Sequence, residues 1–160
     1  MERVNAIFRN RKYQEHIDKI RQAEENRIFC CHNMGHFLDV ARIAALMNAE
    51  EKLGIDKELI YAAALLHDVG RHVQYADGTP HEQASAKLAP QILEQAGFQA
   101  EEQEEILRSI REHRNAETAG EKSLAGILYR ADKASRACFA CAAEKQCDWK
   151  AEKKNLEIRY

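Results

Sequence analysis

The run "YAAALLHDVGRH", Tyr61 to His72, limits what this chain can fold into more than any other stretch. Its alanines and leucines have the composition of a helix buried on every side, and that helix ends in the adjacent pair His67-Asp68. A polar group taken out of water without a partner costs roughly 2–7 kcal/mol, and a bare charge costs more. The fold must therefore bring to this pair something that offsets the cost.

Apolar spacing around the run is helical almost everywhere. Tyr13, Ile17 and Ile20 mark one helix that ends near Asn26. Met34, Phe37, Leu38, Ala41, Ala44 and Ala45 mark a second, up to Gly54. Asp56 is placed to cap the third, which carries Leu59, Ala62, Ala63 and Leu66. "RHVQYADG" reads as a loop. In "TPHE", Thr79 predicts an N-cap, Pro80 the first helical position and Glu82 a capping box for a fourth helix that runs to about Gly97. "EEQEEILRSIREHR" predicts a fifth, with acidic residues in the first turn where the helix dipole favours them. Leu124, Ile127, Leu128, Ala131 and Ala134 carry a sixth. With no β-branched alternation, the fold class is all-α, a compact bundle of about six helices.

The chain has 160 residues, enough to bury a sizeable core in one domain. A net charge of −2 gives no electrostatic footprint for duplex nucleic acid or an anionic membrane. The N-terminus, "MERVNAIFRNRKYQEH", has no apolar signal-peptide core, and no apolar run approaches the ~20 residues of a membrane span. The expectation is a cytoplasmic protein.

The seven histidines are not equivalent. His36 lies within the second helix, His67 and Asp68 end the third, His81 opens the fourth, His113 comes late in the fifth, and Asp132 is midway along the sixth. Five successive helices thus contribute one or two such groups each. If the helices pack as a bundle, these groups converge. Neutral imidazole with carboxylate is a ligand set for zinc, manganese or iron. A divalent cation between the helices would offset the burial of His67-Asp68.

The segments "HFLDVARIA", "AALLHDVGR", "HEQASA", "REHR" and "RADKAS" resemble the HD-domain metal-dependent phosphohydrolase superfamily over roughly residues 28–136. The resemblance implies a helical bundle of five to seven helices. It makes residues 1–160 a single HD domain with a cysteine-containing extension at 137–160. By matching position it implies that His36, His67, Asp68 and Asp132 hold one metal ion. His81 and His113 stand where members with two ions add their further ligands, and Asp68 would then bridge. The family uses one histidine near His36, so His32 is expected beside the site or exposed, and His16 and His72 at the surface.

The chemistry so implied is hydrolysis of a small phosphorylated substrate, a phosphate mono- or diester with nucleotides among the candidates, by a metal-activated hydroxide. Arg71, Arg114 and Lys133 follow the ligand positions closely in sequence and are candidate phosphate clamps. Asp68, Arg71 and Lys133 form the expected catalytic set. Two alternatives use the same scaffold. Some HD-domain proteins hold two irons at six such ligands and use dioxygen to oxidise a diol or an organophosphonate. A domain of this kind can also bind a nucleotide as a regulatory module without turning it over.

Five cysteines in a reducing compartment suggest metal ligands or redox groups rather than disulfides. Cys138, Cys141 and Cys147 have the spacing C-x2-C-x5-C, and Cys30 or Cys31 could supply a fourth thiolate, with Cys30 preferred. The spacing resembles the iron–sulfur staple of some DNA glycosylases and CRISPR-associated or RecB-like nucleases, without implying their activity. Four thiolates suit a [4Fe–4S] cluster or structural zinc. The charged tail that follows has Trp149 as its candidate anchor.

Overall fold

A computed structural model describes residues 1–160 as eight α-helices with no β-strand. The expected all-α class holds, and the structure adds two helices to the six read from periodicity. The first addition is α1 (Glu2–Arg9), separated from α2 (Arg11–Ala23) by Asn10, which is extended and accepts the backbone N–H groups of Lys12 and Tyr13 on its side chain. Then come α3 (Met34–Glu50) and α4 (Lys57–Leu66), each capped by a side chain, Asn33 and Asp56 respectively. The second addition is α5 (Arg71–Asp77), where a loop was expected. It is a short helix closed by Gly78 at φ +82°, a left-handed turn that glycine adopts without penalty.

The fourth expected helix is α6 (His81–Gln95), entered one residue later than the sequence suggests. Pro80 occupies the N-cap and Thr79 lies outside, its N–H given to Asp77. Glu82 forms no capping box. That device occurs instead at α7 (Ala100–Glu112), where Gln99 and Glu102 cap each other. His113 is the residue just past α7 rather than inside it. The last helix is α8 (Leu124–Ala134), and beyond it the chain makes only short 3₁₀ turns at Cys138–Ala140, Glu144–Gln146 and Ala151–Lys153.

One connected cluster of buried apolar residues runs from Val4 to Ala131, so the chain has a single core. Its axis is α4, in which Leu59, Ile60 and every residue from Ala62 to Leu66 are buried. Helices α1, α3, α6, α7 and α8 all pack on it. The alanines let those neighbours approach closely, and the helix therefore delivers His67-Asp68 to the point where α3, α6, α7 and α8 meet. No helix is long and apolar enough to cross a membrane.

Candidate metal centre

His67 is the C-cap of α4, and His113 is the C-cap of α7. Helix ends leave carbonyls without intrahelical partners. Each of these histidines uses one: Nδ1–H of His67 donates to the Ala64 carbonyl at 2.7 Å, and Nδ1–H of His113 to the Ile110 carbonyl at 2.6 Å. His81, the first residue of α6, gives its Nδ1–H to Gln74 Oε1 on α5 at 2.6 Å. His36 on α3 places Nδ1 3.3 Å from Ser135 Oγ, whose hydroxyl donates to the Asp132 carbonyl. All four rings are thus held by Nδ1, which leaves the Nε2 lone pair directed inward. That is how a histidine is prepared for a metal.

Asp68 lies between these four nitrogens. Its Oδ2 is 3.3 Å from His67 Nε2 and 3.7 Å from His36 Nε2. Its Oδ1 is 3.1 Å from His81 Nε2 and 3.7 Å from His113 Nε2. Asp132 completes the first side, with Oδ1 at 3.7 Å from His36 and 3.9 Å from His67. Two groups of three donors result, His36/His67/Asp132 and Asp68/His81/His113, and the donor atoms in each lie within 4.8 Å of one another.

Two observations show that these residues fit divalent cations. Nε2 of His36 and Nε2 of His67 are buried without a hydrogen-bond partner, a cost a folded protein rarely leaves uncompensated. Across the site, Nε2 of His81 and Nε2 of His113 face each other at 3.1 Å while both Nδ1 atoms are already committed as donors. Two imidazole lone pairs at that separation repel unless a positive charge lies between them.

The charge balance points the same way. Burial alone would raise the Asp68 carboxyl, but the His67 charge and the imidazoles of His113 and His36 hold it well below the usual carboxylate range. Burial also opposes ionisation of Asp132, and Lys133 with His67 overcomes it. Burial drives His81 down to about 2, so its ring is neutral and able to bind a metal at any working pH. Burial lowers His36 as well. His67 is pushed down by burial and up by Asp68 and Asp132, and the carboxylates prevail.

The three expected clamps differ in place. Arg71 gives its Nε to Asp68 Oδ1 at 3.1 Å, while its terminal nitrogens bond nothing in the chain. Lys133 is committed to Asp132 Oδ2 at 2.7 Å and the His113 carbonyl at 2.8 Å, over the ring of Tyr129. Arg114 is half-exposed and 3.5 Å from Glu82.

Four residues beyond the six expected ligands also shape this site. His32 takes the first of the two places expected for it, beside the site: it is buried, and its Nε2 is 3.6 Å from Asp68 Oδ2, as near as His36. Glu24, at the end of α2, accepts the His32 ring and the His32 backbone N–H at 2.7 Å. Tyr75 on α5 donates to the same carboxylate at 2.6 Å. Gln74 is the fourth, through His81. Glu24 and Gln74 carry no sequence signal, because only tertiary packing brings α2 and α5 to the candidate ligands. The i,i+4 spacing of His32 and His36 was the one available hint. His16 and His72 are half-buried and stacked on one another between α2 and α5, with ring nitrogens 2.9 Å apart.

No disulfide joins any of the five cysteines, and none belongs to the two groups of closely spaced donors. Trp149 is not a buried anchor: it is half-exposed, with the Arg136 guanidinium 4.4 Å over its ring.

Comparison with known proteins agrees with this geometry. The family model described as "HD domain" matches residues 33–137. A crystal structure of a predicted HD superfamily hydrolase from an uncultured Thermotogales bacterium superposes with a TM-score of 0.58 at 30% identity, covering 76% of this chain and 66% of the other. An "uncharacterized protein" of Clostridium beijerinckii is 44% identical over the full length of both chains. Ribonuclease Y of Acetivibrio thermocellus is 31% identical over 104 residues, which are 65% of this chain and 18% of the ribonuclease.

Proposed function

Since the chain belongs to the HD-domain family of metal-dependent hydrolases, we propose that it hydrolyses a phosphate mono- or diester, with His36, His67, Asp68 and Asp132 holding one divalent ion and Asp68, His81 and His113 a second. The observation that carries this reading is the division of Asp68. Each of its two oxygens faces a different pair of imidazoles, as a carboxylate bridging two ions requires.

Ions bound there supply Lewis acidity to a phosphoryl oxygen and acidify a water for attack. The chain's own residues do the rest. Ser135, Ala64, Gln74 and Ile110 fix the four rings, so the donor set is organised before substrate arrives. Arg71, anchored by Nε, presents its remaining N–H groups to an anionic substrate, and a guanidinium matches phosphate oxygens in pairs. Lys133 holds Asp132 in its ionised form, and is a positioning residue before it is a clamp. Arg114 is the more peripheral cation. The similarity to part of a ribonuclease, which acts on RNA, supports including diesters among the substrates.

The test is metal analysis of protein purified without air, alongside a panel of phosphate mono- and diesters, nucleotides included. Wild type is expected to carry two ions and to release phosphate or an alcohol from at least one ester. Asp68→Asn is expected to lose both ions and the activity together. Dioxygen uptake with a diol or phosphonate and no ester hydrolysis would replace this reading by oxygenation. Nucleotide binding without turnover would replace it by a regulatory role.

A further inference from the structure

Asp68 is faced by one imidazole more than the expected ligands supply. His32 stands immediately before Asn33, the N-cap of α3, and is buried. Three Nε2 atoms face Asp68 Oδ2: His67 at 3.3 Å, His32 at 3.6 Å and His36 at 3.7 Å. The His32 and His36 rings meet edge to face, with centroids 5.6 Å apart.

His32 is held as the other four rings are, by Nδ1. Glu24 accepts the ring on Oε1 and the His32 backbone N–H on Oε2 at 2.7 Å. The Tyr75 phenol donates to Glu24 Oε1 at 2.6 Å, so α5 fixes the carboxylate that fixes the ring. An ionised carboxylate only accepts, so Nδ1 carries the proton and Nε2 a lone pair. That lone pair points at a carboxylate oxygen, which is also an acceptor. Two acceptors facing each other repel unless a cation lies between them.

The distances separate a shared cation from a direct bond. A hydrogen bond from an imidazolium to a carboxylate closes to about 2.7–2.9 Å. Two donors on one cation such as zinc, each at ~2.0–2.2 Å, stand about 2.8–4.4 Å apart, the lower figure for adjacent and the upper for opposite positions. His32, at 3.6 Å from Oδ2, lies beyond the first range and within the second, beside His36 at 3.7 Å. Charge supplies an independent reason. Glu24 is buried, and its one ion-pair partner is His32 rather than a lysine or arginine. Buried carboxylates are paired or reach a metal. The other four rings rest on Ala64, Ile110, Gln74 and Ser135, all neutral, whereas His32 has a carboxylate behind it. A carboxylate in that position orients a metal-binding imidazole and raises its basicity.

We propose that His32 is a further ligand of the ion assigned to His36, His67, Asp68 and Asp132, a role that rests on the two-ion reading above. The deciding experiment reads the metal at His32, not turnover. Wild type with isotopically labelled histidine is loaded with a spin-active cadmium isotope and its ring nitrogens are examined by NMR. Nε2 of His32, like Nε2 of His36 and His67, is expected to show a one-bond coupling to cadmium, and the rings of His16 and His72 none. In a chelator competition with zinc, Glu24→Gln keeps the imidazole and is expected to weaken one ion about 10–100-fold. His32→Ala is expected to weaken that ion further and to leave the other unchanged. A His32 ring without coupling, in protein whose His36 and His67 are coupled, overturns the proposal and leaves the two-ion reading standing. Because that is measured on wild type, it decides even if His32→Ala does not fold. His32→Ala that binds zinc as tightly as Glu24→Gln overturns the proposal as well. Absence of coupling at His36, His67 and His32 together overturns the two-ion reading, and this proposal with it.

Discussion

Gly70 offers a sharp test of the proposed second ion. It sits in the turn between α4 and α5, pressed against the first turn of α6, and its N–H donates to Ser85 Oγ at 2.9 Å in a buried bond. A Cβ added at Gly70 would come within 2.7 Å of the His81 carbonyl oxygen and of Ala84 Cβ, and would also strike the Ser85 backbone nitrogen. Ordinary contact begins near 3.4 Å and the Ser85 nitrogen would lie at 2.4 Å, so α6 must retreat by about 1.0 Å. Overpacking of this kind costs about 1–3 kcal/mol, and breaking the Ser85 bond costs about 1–3 more if the buried N–H is left bare. The combined ~2–6 kcal/mol is a large part of a typical domain stability of ~5–15 kcal/mol. The retreat carries His81 with it, and metal–ligand distances tolerate only about ±0.2 Å. Gly70→Ala is therefore expected to fold less stably in urea and to lose the ion assigned to Asp68, His81 and His113, while keeping the other. Ser85→Ala removes the hydrogen bond without adding bulk. It should cost about 1–3 kcal/mol and leave the metal content at two. Elemental analysis with urea midpoints on both variants decides the matter. A Gly70→Ala protein that binds two ions with wild-type affinity would refute the link from the turn to His81.

Gln74→Leu deprives His81 Nδ1 of its acceptor, and is expected to weaken binding of the same ion about 10–100-fold in a chelator competition, with little change in melting temperature. Arg71→Lys removes the fork while keeping the charge, and should raise KM for a phosphoester more than it lowers kcat; an unchanged KM would remove Arg71 from the substrate site. Glu24 is subject to burial that would raise its carboxyl, but His32 and Tyr75 hold it at about 2. Its folded pKa is below its unfolded value near ~4.3, so its contribution is full above that value and is lost as pH falls toward about 2. Glu24→Gln should therefore be less stable than wild type by about 1–2 kcal/mol at pH 7, and the difference should vanish as pH approaches 2; a gap that persists at low pH would place the effect in packing rather than charge.

The sequence and the structure differ where local pattern and tertiary packing diverge. The six proposed ligand positions were legible because each lies at a helix end or on an apolar helix face, and helical spacing places such residues toward the core. Asp56 was legible as a cap because the bond it makes is local. The helix at Arg71–Asp77 was not. It has seven residues, no side-chain cap and no buried residue, so neither propensity nor apolar period marks it. It forms because Gly70 and Gly78 close its two ends and α2 and α6 support it.

That inconspicuous helix changes how the metal centre is to be understood. Arg71, Gln74 and Tyr75 lie on it, and each reaches a different part of the site: Asp68, His81, and the Glu24 carboxylate that holds His32. A loop in this place would leave His81 without an acceptor and Glu24 without its phenol. With little core burial to hold it, α5 is stabilised through its contacts to the ligands and to the α6 turn at Gly70. Its order should accordingly rise when the ions bind, because an ion that fixes His81 also fixes Gln74. Hydrogen exchange reads this directly: amides of 71–77 are expected to be more protected with metal than without, by a larger factor than those of α4, whose protection comes from the core. Equal gains in the two helices would show that α5 is held by packing alone, and that the ligand positions rather than this helix organise the site.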